Sequence, residues 1–483
     1  MKRLSESISP ACPSQPGPFF RNRFWYIPIL LVQLMVAASL LILRLDHSIL
    51  ILALATLLSI SIFSVRMTLL LLILITITLP IRFFQYPCIP FFISPTTYTV
   101  GFLLLLFYFV LQVLKSRGLK LLRSSLNLPM GLFLLVVWLS ALWGILRDHP
   151  ISEIVHEACL LSFYATFWIV LNMSNPYRLT KKLFPILTAL MVIVFLEYFY
   201  IAFREPHLLA ARGGRIITRQ ANIAVIVFPY LTTLILISPS ARKKVIYFLA
   251  LSIPLTTAFL HQQRSIWIAI LASGIFVTAY VFAKRAHISY KGVVIGVLSL
   301  ILLLFLVNYQ LGFIQKFADV QVKKFIETRV QTFRQMSAEP SILIRMIDLQ
   351  AVLRKIKQYP IVGSGLGAKV LRPLGRIYLY IIDNSFVYLY WKTGIAGLAI
   401  FLWLLGAVFR KCFYILKRCR DDDTLISILP ITAGMIGLVI LSLASVILVA
   451  YRFIIVWATL IATVELTWLR VKTREATTKN GYR

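Results

Sequence analysis

Negative charge is what this chain has least of. Only 17 Asp and Glu stand against 50 Lys and Arg, for a formal net charge of +33, yet charged residues make up just 14% of the total and apolar ones 60%. Soluble domains carry about 45–50% apolar residues, so the composition excludes a soluble globular protein. Cysteine is scarce too: the five present show no paired spacing, which excludes a disulfide framework and a zinc site. Cys412 and Cys419 read as part of a basic loop. Nothing in this pattern points to a metal or a cofactor. Solenoid repeats and low-complexity tracts are missing. No signal peptide stands out: the first apolar run has no small-residue cleavage site and reads as an anchor. A large positive charge would suit nucleic acid, but here the basic residues lie in loops between apolar spans, so nucleic acid is not an expected partner.

What is present is long apolar runs. A span needs roughly 17–25 apolar residues. Candidates fall at about 25–44, 48–64, 67–84, 97–114, 128–146, 155–172, 183–203, 220–238, 245–260, 265–283, 292–309, 384–409, 425–447 and 452–470. The second and third are short enough to merge or re-enter. The reading is an all-α polytopic membrane protein of about 12–14 transmembrane helices with a large helical periplasmic loop. The expected organisation is an N-terminal cytoplasmic tail (1–24), spans with short loops (25–309), a periplasmic loop (310–383), C-terminal spans (384–470) and a cytoplasmic tail (471–483). Alternate loops, such as "KSRGLKLLRSS", "NPYRLTKK", "SARKK", "KRAHISYK" and "RKCFYILKRCRDDD", are rich in Lys and Arg. By the positive-inside rule these face the cytoplasm, as do both termini.

Two segments on the opposite side break that rule. Arg204–Asn222 holds four arginines, and the loop from Gln310 to Asp383 holds about a dozen Lys or Arg against five acids. Long loops cross regardless of charge, which covers the second segment but not the short first one. The other reading is an anion site facing the periplasm, because the planar guanidinium donates two hydrogen bonds at once to phosphate. Within the long loop, Val322, Phe325, Ile326, Val330 and Phe333 recur at helical spacing, and a second helix is predicted over roughly 342–358, ending before Tyr359-Pro360.

Ionisable residues near the spans gather on the same side: His156, Glu157, Glu197, His261, Arg264, Asp383 and Arg452, with Glu465 the exception. Intramembrane ionisable groups are functional candidates by default. Each also has a plainer role. His156 and Glu157 can mark the interface, Glu197 can pair with an arginine, Arg264 can snorkel, Arg215 and Arg219 can hold headgroups, and Asp383 can cap the helix that it opens. The run "YPIVGSGLGAK", with Gly363 and Gly365, reads as a flexible turn or as a nest of amides for an anion.

Taken in order, these pieces resemble the O-antigen ligase/polymerase superfamily of bacterial inner-membrane glycosyltransferases. The resemblance covers mainly 212–397. It rests on Arg215 and Asn222 in "RIITRQANIAVIVFP", Arg264 in "HQQRSIWIAI", Arg345, Pro360 and the glycines in "RMIDLQAVLRKIKQYPIVGSGLG", and Asp383, Asn384, Leu389, Thr393, Gly394 and Gly397 in "DNSFVYLYWKTGIAG". The resemblance implies a glycan carried on polyprenyl diphosphate at the periplasmic face, an acceptor hydroxyl attacking the anomeric carbon, and no nucleotide sugar or metal. It implies catalytic roles for Asp383, Arg264 and Arg215. Diphosphate or glycan contacts would come from Arg219, Asn222, Arg345, Asn384, Gly363 and Gly365. Typical ligases of the superfamily carry His where this chain has Asp383, which favours a polymerase of exopolysaccharide or O-antigen over a ligase acting on a lipid A-core acceptor. Membrane lipids and polysaccharide export machinery are the further expected partners. The rival of another class is a transporter of lipid-linked glycan, which would place polar groups at the midplane of matched halves.

Overall fold

The computed structural model describes residues 124–172, 176–204, 219–261, 263–284, 340–372, 378–419, 421–449 and 451–481. Nearly all belong to one compact unit formed by Ile73–Phe83, Leu121–Leu171 and Tyr177–Arg483. The expected spans at 25–44, 48–64, 67–84, 97–114 and 292–309, the helix expected around 322–333, and Arg215 lie outside the described residues.

The described chain is helical almost throughout: α1 (Asn127–Ile145), α2 (Ile151–Ser162), a short 3-10 turn (Phe163–Ala165), α3 (Thr166–Leu171), α4 (Pro176–Arg204), α5 (Ala224–Ile237), α6 (Ala241–His261), α7 (Arg264–Lys284), α8 (Pro340–Gln358), α9 (Ser385–Arg418), α10 (Asp422–Ser442) and α11 (Tyr451–Gly481). Among the described residues the strands are β1 (Val370–Leu371) and β2 (Tyr378–Leu379), an antiparallel pair. Among the described residues, six helical segments are long and apolar enough to cross a membrane, α2 and α3 counting together as one. Helix is the form these runs take in lipid because it satisfies every backbone polar group within the segment. Threonine hydroxyls are absorbed the same way: Thr233, Thr459 and Thr463 donate to the carbonyls one turn back.

Burial sorts the helices. Residues Phe453–Val464 of α11 are buried on every face, so this helix runs through the middle of the packing. In α1 and α7 one face is buried while Trp138, Leu142, Ile268 and Leu271 point outward and are more than half exposed. Such apolar outer faces suit lipid rather than water. The chain is an all-α polytopic membrane protein, as its composition predicts.

Helix directions define two ends. Gly434 of α10 packs on Ile226 of α5, and Gly437 on Val225, Ala269 and Ser273. Phe276, Tyr280 and Lys284 of α7 meet Phe413, Leu416 and Lys417 of α9 in the same order, so these two run parallel, and α10, which follows α9, returns antiparallel to them and, by the falling order of Ile226 and Val225, to α5. At one end, Lys284 of α7 donates to the carbonyl of Lys417 on α9 at 2.9 Å, and Arg418 pairs with Glu475 of α11 at 2.5 Å. The turn into α6 brings Arg242, Lys243 and Lys244 to this same basic end. At the other end lie the starts of α5, α7 and α9.

Two expectations are corrected. "RKCFYILKRC" is no loop: α9 continues through it to Arg418, with Cys412 fully buried, because the stretch has no Gly or Pro and keeps an apolar face of Cys412, Ile415 and Leu416. The span expected to end at 447 stops at Ser442, and a turn fills the gap to α11. Glu465, set apart from the other ionisable residues in the sequence, pairs with Lys411 of α9 in the buried interior, with Lys411 also 3.9 Å from the Trp468 ring.

Candidate active site

The site is built where α9 begins. Its N-cap is Asn384, not Asp383: the Asn384 side-chain oxygen accepts from the amides of Phe386 and Val387, both at 3.0 Å. This corrects the capping alternative for Asp383. The Asn384 amide group donates to the carbonyl of Leu443 at 2.9 Å, and Ser385 donates to that of Ser445 at 2.9 Å. The start of α9 is thereby fastened to the α10–α11 turn. Relieved of capping, Asp383 faces outward and pairs with Arg345 of α8, Oδ2 to Nε at 3.3 Å. The Arg-led helix and the aspartate that opens the last group of spans, far apart in sequence, therefore meet.

One turn along α8 from Arg345, Asp348 receives a bidentate pair from Arg372, Nε to Oδ1 at 2.9 Å and Nη2 to Oδ2 at 2.7 Å. The Arg372 guanidinium is pushed above its ordinary value by the Asp348 hydrogen bond and by the negative charges of Asp348 and Asp383. Lys369 is raised likewise, first by its hydrogen bond to Tyr380. The resulting surface interleaves basic groups (Arg345, Lys369, Arg372) with two carboxylates.

Beneath it the glycine run is wedged between α1 and α9. The amide of Gly363 donates to Tyr359, Ser364 to Trp391, Gly365 to Lys392 and Leu366 to Ser140, all backbone carbonyls. The Gly367 amide donates to Glu157 at 2.8 Å. These donors are committed within the protein, so the run is packed as a wedge and not held open as a nest of amides. Gly363 and Gly394 take positive φ, +75° and +70°, and each lacks room for a Cβ because their backbones touch. Gly394 breaks α9 into two segments, and the amide of Ile395 turns to the carbonyl of Pro360 at 2.9 Å. Only glycine combines that conformation with that approach.

Under the wedge, Lys392 is fully buried. Its ammonium donates to Glu157 Oε1 and to the carbonyl of Ala368, both at 2.7 Å. Glu157 is buried too, which replaces its reading as an interface marker; His156 beside it is half-buried. The sequence signal for Lys392 was a lone cation inside "VYLYWKTGIAG". Asp348 and Arg372 carried no such signal: Asp348 lies on the helix predicted over 342–358, and Arg372 is one of about a dozen basic residues of the long loop.

The remaining expected residues are placed as follows. Arg264 is the first residue of α7, half-buried, beside buried His261, whose ring lies 3.0 Å from the Gln263 side chain. Asn222 is buried in the 3-10 turn before α5, and its oxygen has no hydrogen-bond partner among the described residues. The helix directions bring Asn222, Arg264 and Asp383 to one end of the bundle. The side chains of Arg219, Glu197 and Arg452 lie outside what is described. Among the described residues no group of His, Cys, Asp and Glu is arranged to hold a metal.

No curated protein matches the chain. Residues 248–402, about a third of the sequence, match the family model described as O-antigen ligase. This segment takes in Arg264, Arg345, Asp383, Asn384 and Lys392 alike, so it is over the site-bearing part of the chain that the sequence is similar to the O-antigen ligase family.

Proposed function

We propose that the protein is an inner-membrane glycosyltransferase that extends a polyprenyl-diphosphate-linked glycan at the periplasmic face. The observation that carries this reading is the convergence of Asp383 with Arg345, in the field of Arg372, at the bundle end where α7 presents Arg264. Asp383 is the general base: its carboxylate takes the proton of the acceptor hydroxyl as that oxygen bonds to the anomeric carbon. The bond from that carbon to the diphosphate breaks on the opposite face, and polyprenyl diphosphate leaves with the electron pair. Arginine stabilises the charge that develops on it, with Arg264 and Arg215 as the principal donors and Arg219, Asn222 and Arg345 as supporting contacts. Fixed positive charge aimed at a leaving group is the largest catalytic device for such a step. A carboxylate base suits an inverting displacement at a sugar carbon. Asn384 and the glycines serve the site by shaping it.

The description of the matching family favours a second reading, transfer of a finished glycan to a lipid A-core acceptor. Deleting the gene and profiling lipid-linked and exported glycans separates the two. Single repeat units left on the carrier mean polymerase, and long chains left on it mean ligase. An unchanged profile sinks both.

A further inference from the structure

The buried Lys392–Glu157 pair has no place in the transfer step, yet it sits at the junction of everything that holds Arg345 against Asp383. Taking two charges out of water is costly, and a well-packed apolar pair is often as stable or more so. Stability alone therefore gives little reason for a fully buried ammonium. Its geometry gives a better one. Lys392 grips the carbonyl of Ala368, and Glu157 grips the amide of the preceding residue, Gly367. These two groups lead straight into β1, which delivers Arg372 to Asp348 on α8. On α8, one turn before Asp348, Arg345 reaches Asp383. Asp383 in turn precedes the straight first segment of α9, and Lys392 lies on that same segment before the break at Gly394. The contacts thus close a ring: Asp383, α9, Lys392, Ala368, Arg372, Asp348, Arg345 and back to Asp383.

We infer that Lys392 and Glu157 are positioning residues, which set where the arginines of the outer loop stand relative to Asp383. Their polarity is what matters. The pair offers a donor to the Ala368 carbonyl and an acceptor to the Gly367 amide. An apolar pair offers neither, and an exchanged pair offers the wrong one to each. This inference rests on the site proposed above, so its test reads position and activity separately.

The experiment uses the full chain in membranes, with its native cysteines replaced by serine. Cysteines at positions 345 and 383 are joined by a short bifunctional reagent, and the yield reports their separation. Glycan transfer is measured in cells with Arg345 and Asp383 intact. Two double variants are compared with the parent: Glu157→Met/Lys392→Met, which is neutral and packable, and Glu157→Lys/Lys392→Glu, which keeps both charges. If one fails to accumulate, the other decides. The expected result is normal accumulation, loss of the cross-link, and a roughly hundredfold fall in transfer, the scale of a misplacement of about 1 Å. Cross-linking at the parent yield overturns the inference, whether transfer survives or not. A lost cross-link with full transfer upholds the positioning role and overturns the assignment of Arg345 and Asp383 to the reaction.

Discussion

Arg345 and Asp383 lie 3.3 Å apart, and their side chains are 52% and 55% exposed. A pair this exposed contributes about 0–1 kcal/mol to stability, so the fold has little need of it. In the proposed reaction its worth is in placing a guanidinium beside a carboxylate that an acceptor can still reach. Asp383→Asn removes the proposed base and leaves the Asn384 cap untouched. Transfer is expected to fall by about a hundredfold or more, with the protein present in membranes at its usual level. Wild-type glycan length and yield in that variant would refute the base assignment. Asp383→His is expected to retain part of the activity.

Arg264 opens α7 at the same end of the bundle. A planar fork binds diphosphate with two bonds, and an ammonium does not reproduce them. Arg264→Lys should therefore lose most transfer at matched expression despite keeping its charge. Full activity would mean that the residue only anchors the helix at the interface.

The membrane class was legible in apolar run length, because a span of helix is fixed by bilayer thickness. So was α8, whose end before Tyr359-Pro360 follows from the restricted backbone of the residue before proline. The long helix through Cys412 is not legible in this way, because its basic residues suggest a loop, whereas Arg410, Lys417 and Arg418 lie on the last turns of a helix with a buried apolar face. Asp383 was picked out as a carboxylate at a span boundary. Its partner in space depended on how α8 folds back, which no local pattern records. The cap passed from Asp383 to Asn384 for the same reason: the two cap about equally well, and the contact of Asn384 with Leu443 decides between them.

Gly394 carries a prediction about folding. Its φ of +70° alone would strain any other residue by about 1–3 kcal/mol, and a side chain there would run into the carbonyl of Ile361. Gly394→Ala is expected to lower the melting temperature of the detergent-purified protein and its level in membranes. Gly406, with open space around its Cβ position, should accept Ala with little change. Equal melting of the two variants would contradict the close approach.

At the basic end, Lys411 and Glu465 are paired and almost fully buried. Removing one partner strands the other charge, so Lys411→Met should destabilise by about 3–5 kcal/mol. Lys411→Met with Glu465→Met should recover most of the loss, and glycan transfer should be normal once the fold is restored. Transfer that stays lost in a stable double variant would give this pair a functional role.

The last prediction concerns sidedness, on which the site proposal depends. The helix directions put Arg242, Lys243, Lys244, Lys284 and Arg418 at one end and the α8–β1 loop at the other. Short loops rich in Lys and Arg stay in the cytoplasm, whereas long loops cross largely regardless of charge. The end with the short basic connections is therefore expected in the cytoplasm, and the longer basic segment around Arg345 and Arg372 in the periplasm. Ile361 is 67% exposed at the tip of the glycine wedge, and Arg242 is exposed on the first turn of α6. In a chain without its native cysteines, Ile361→Cys should react with a membrane-impermeant maleimide in spheroplasts. Arg242→Cys should react only after the membrane is opened. Labelling in the reverse order would put Asp383 in the cytoplasm, away from any donor presented at the periplasmic face, and the reaction proposed for it would fall.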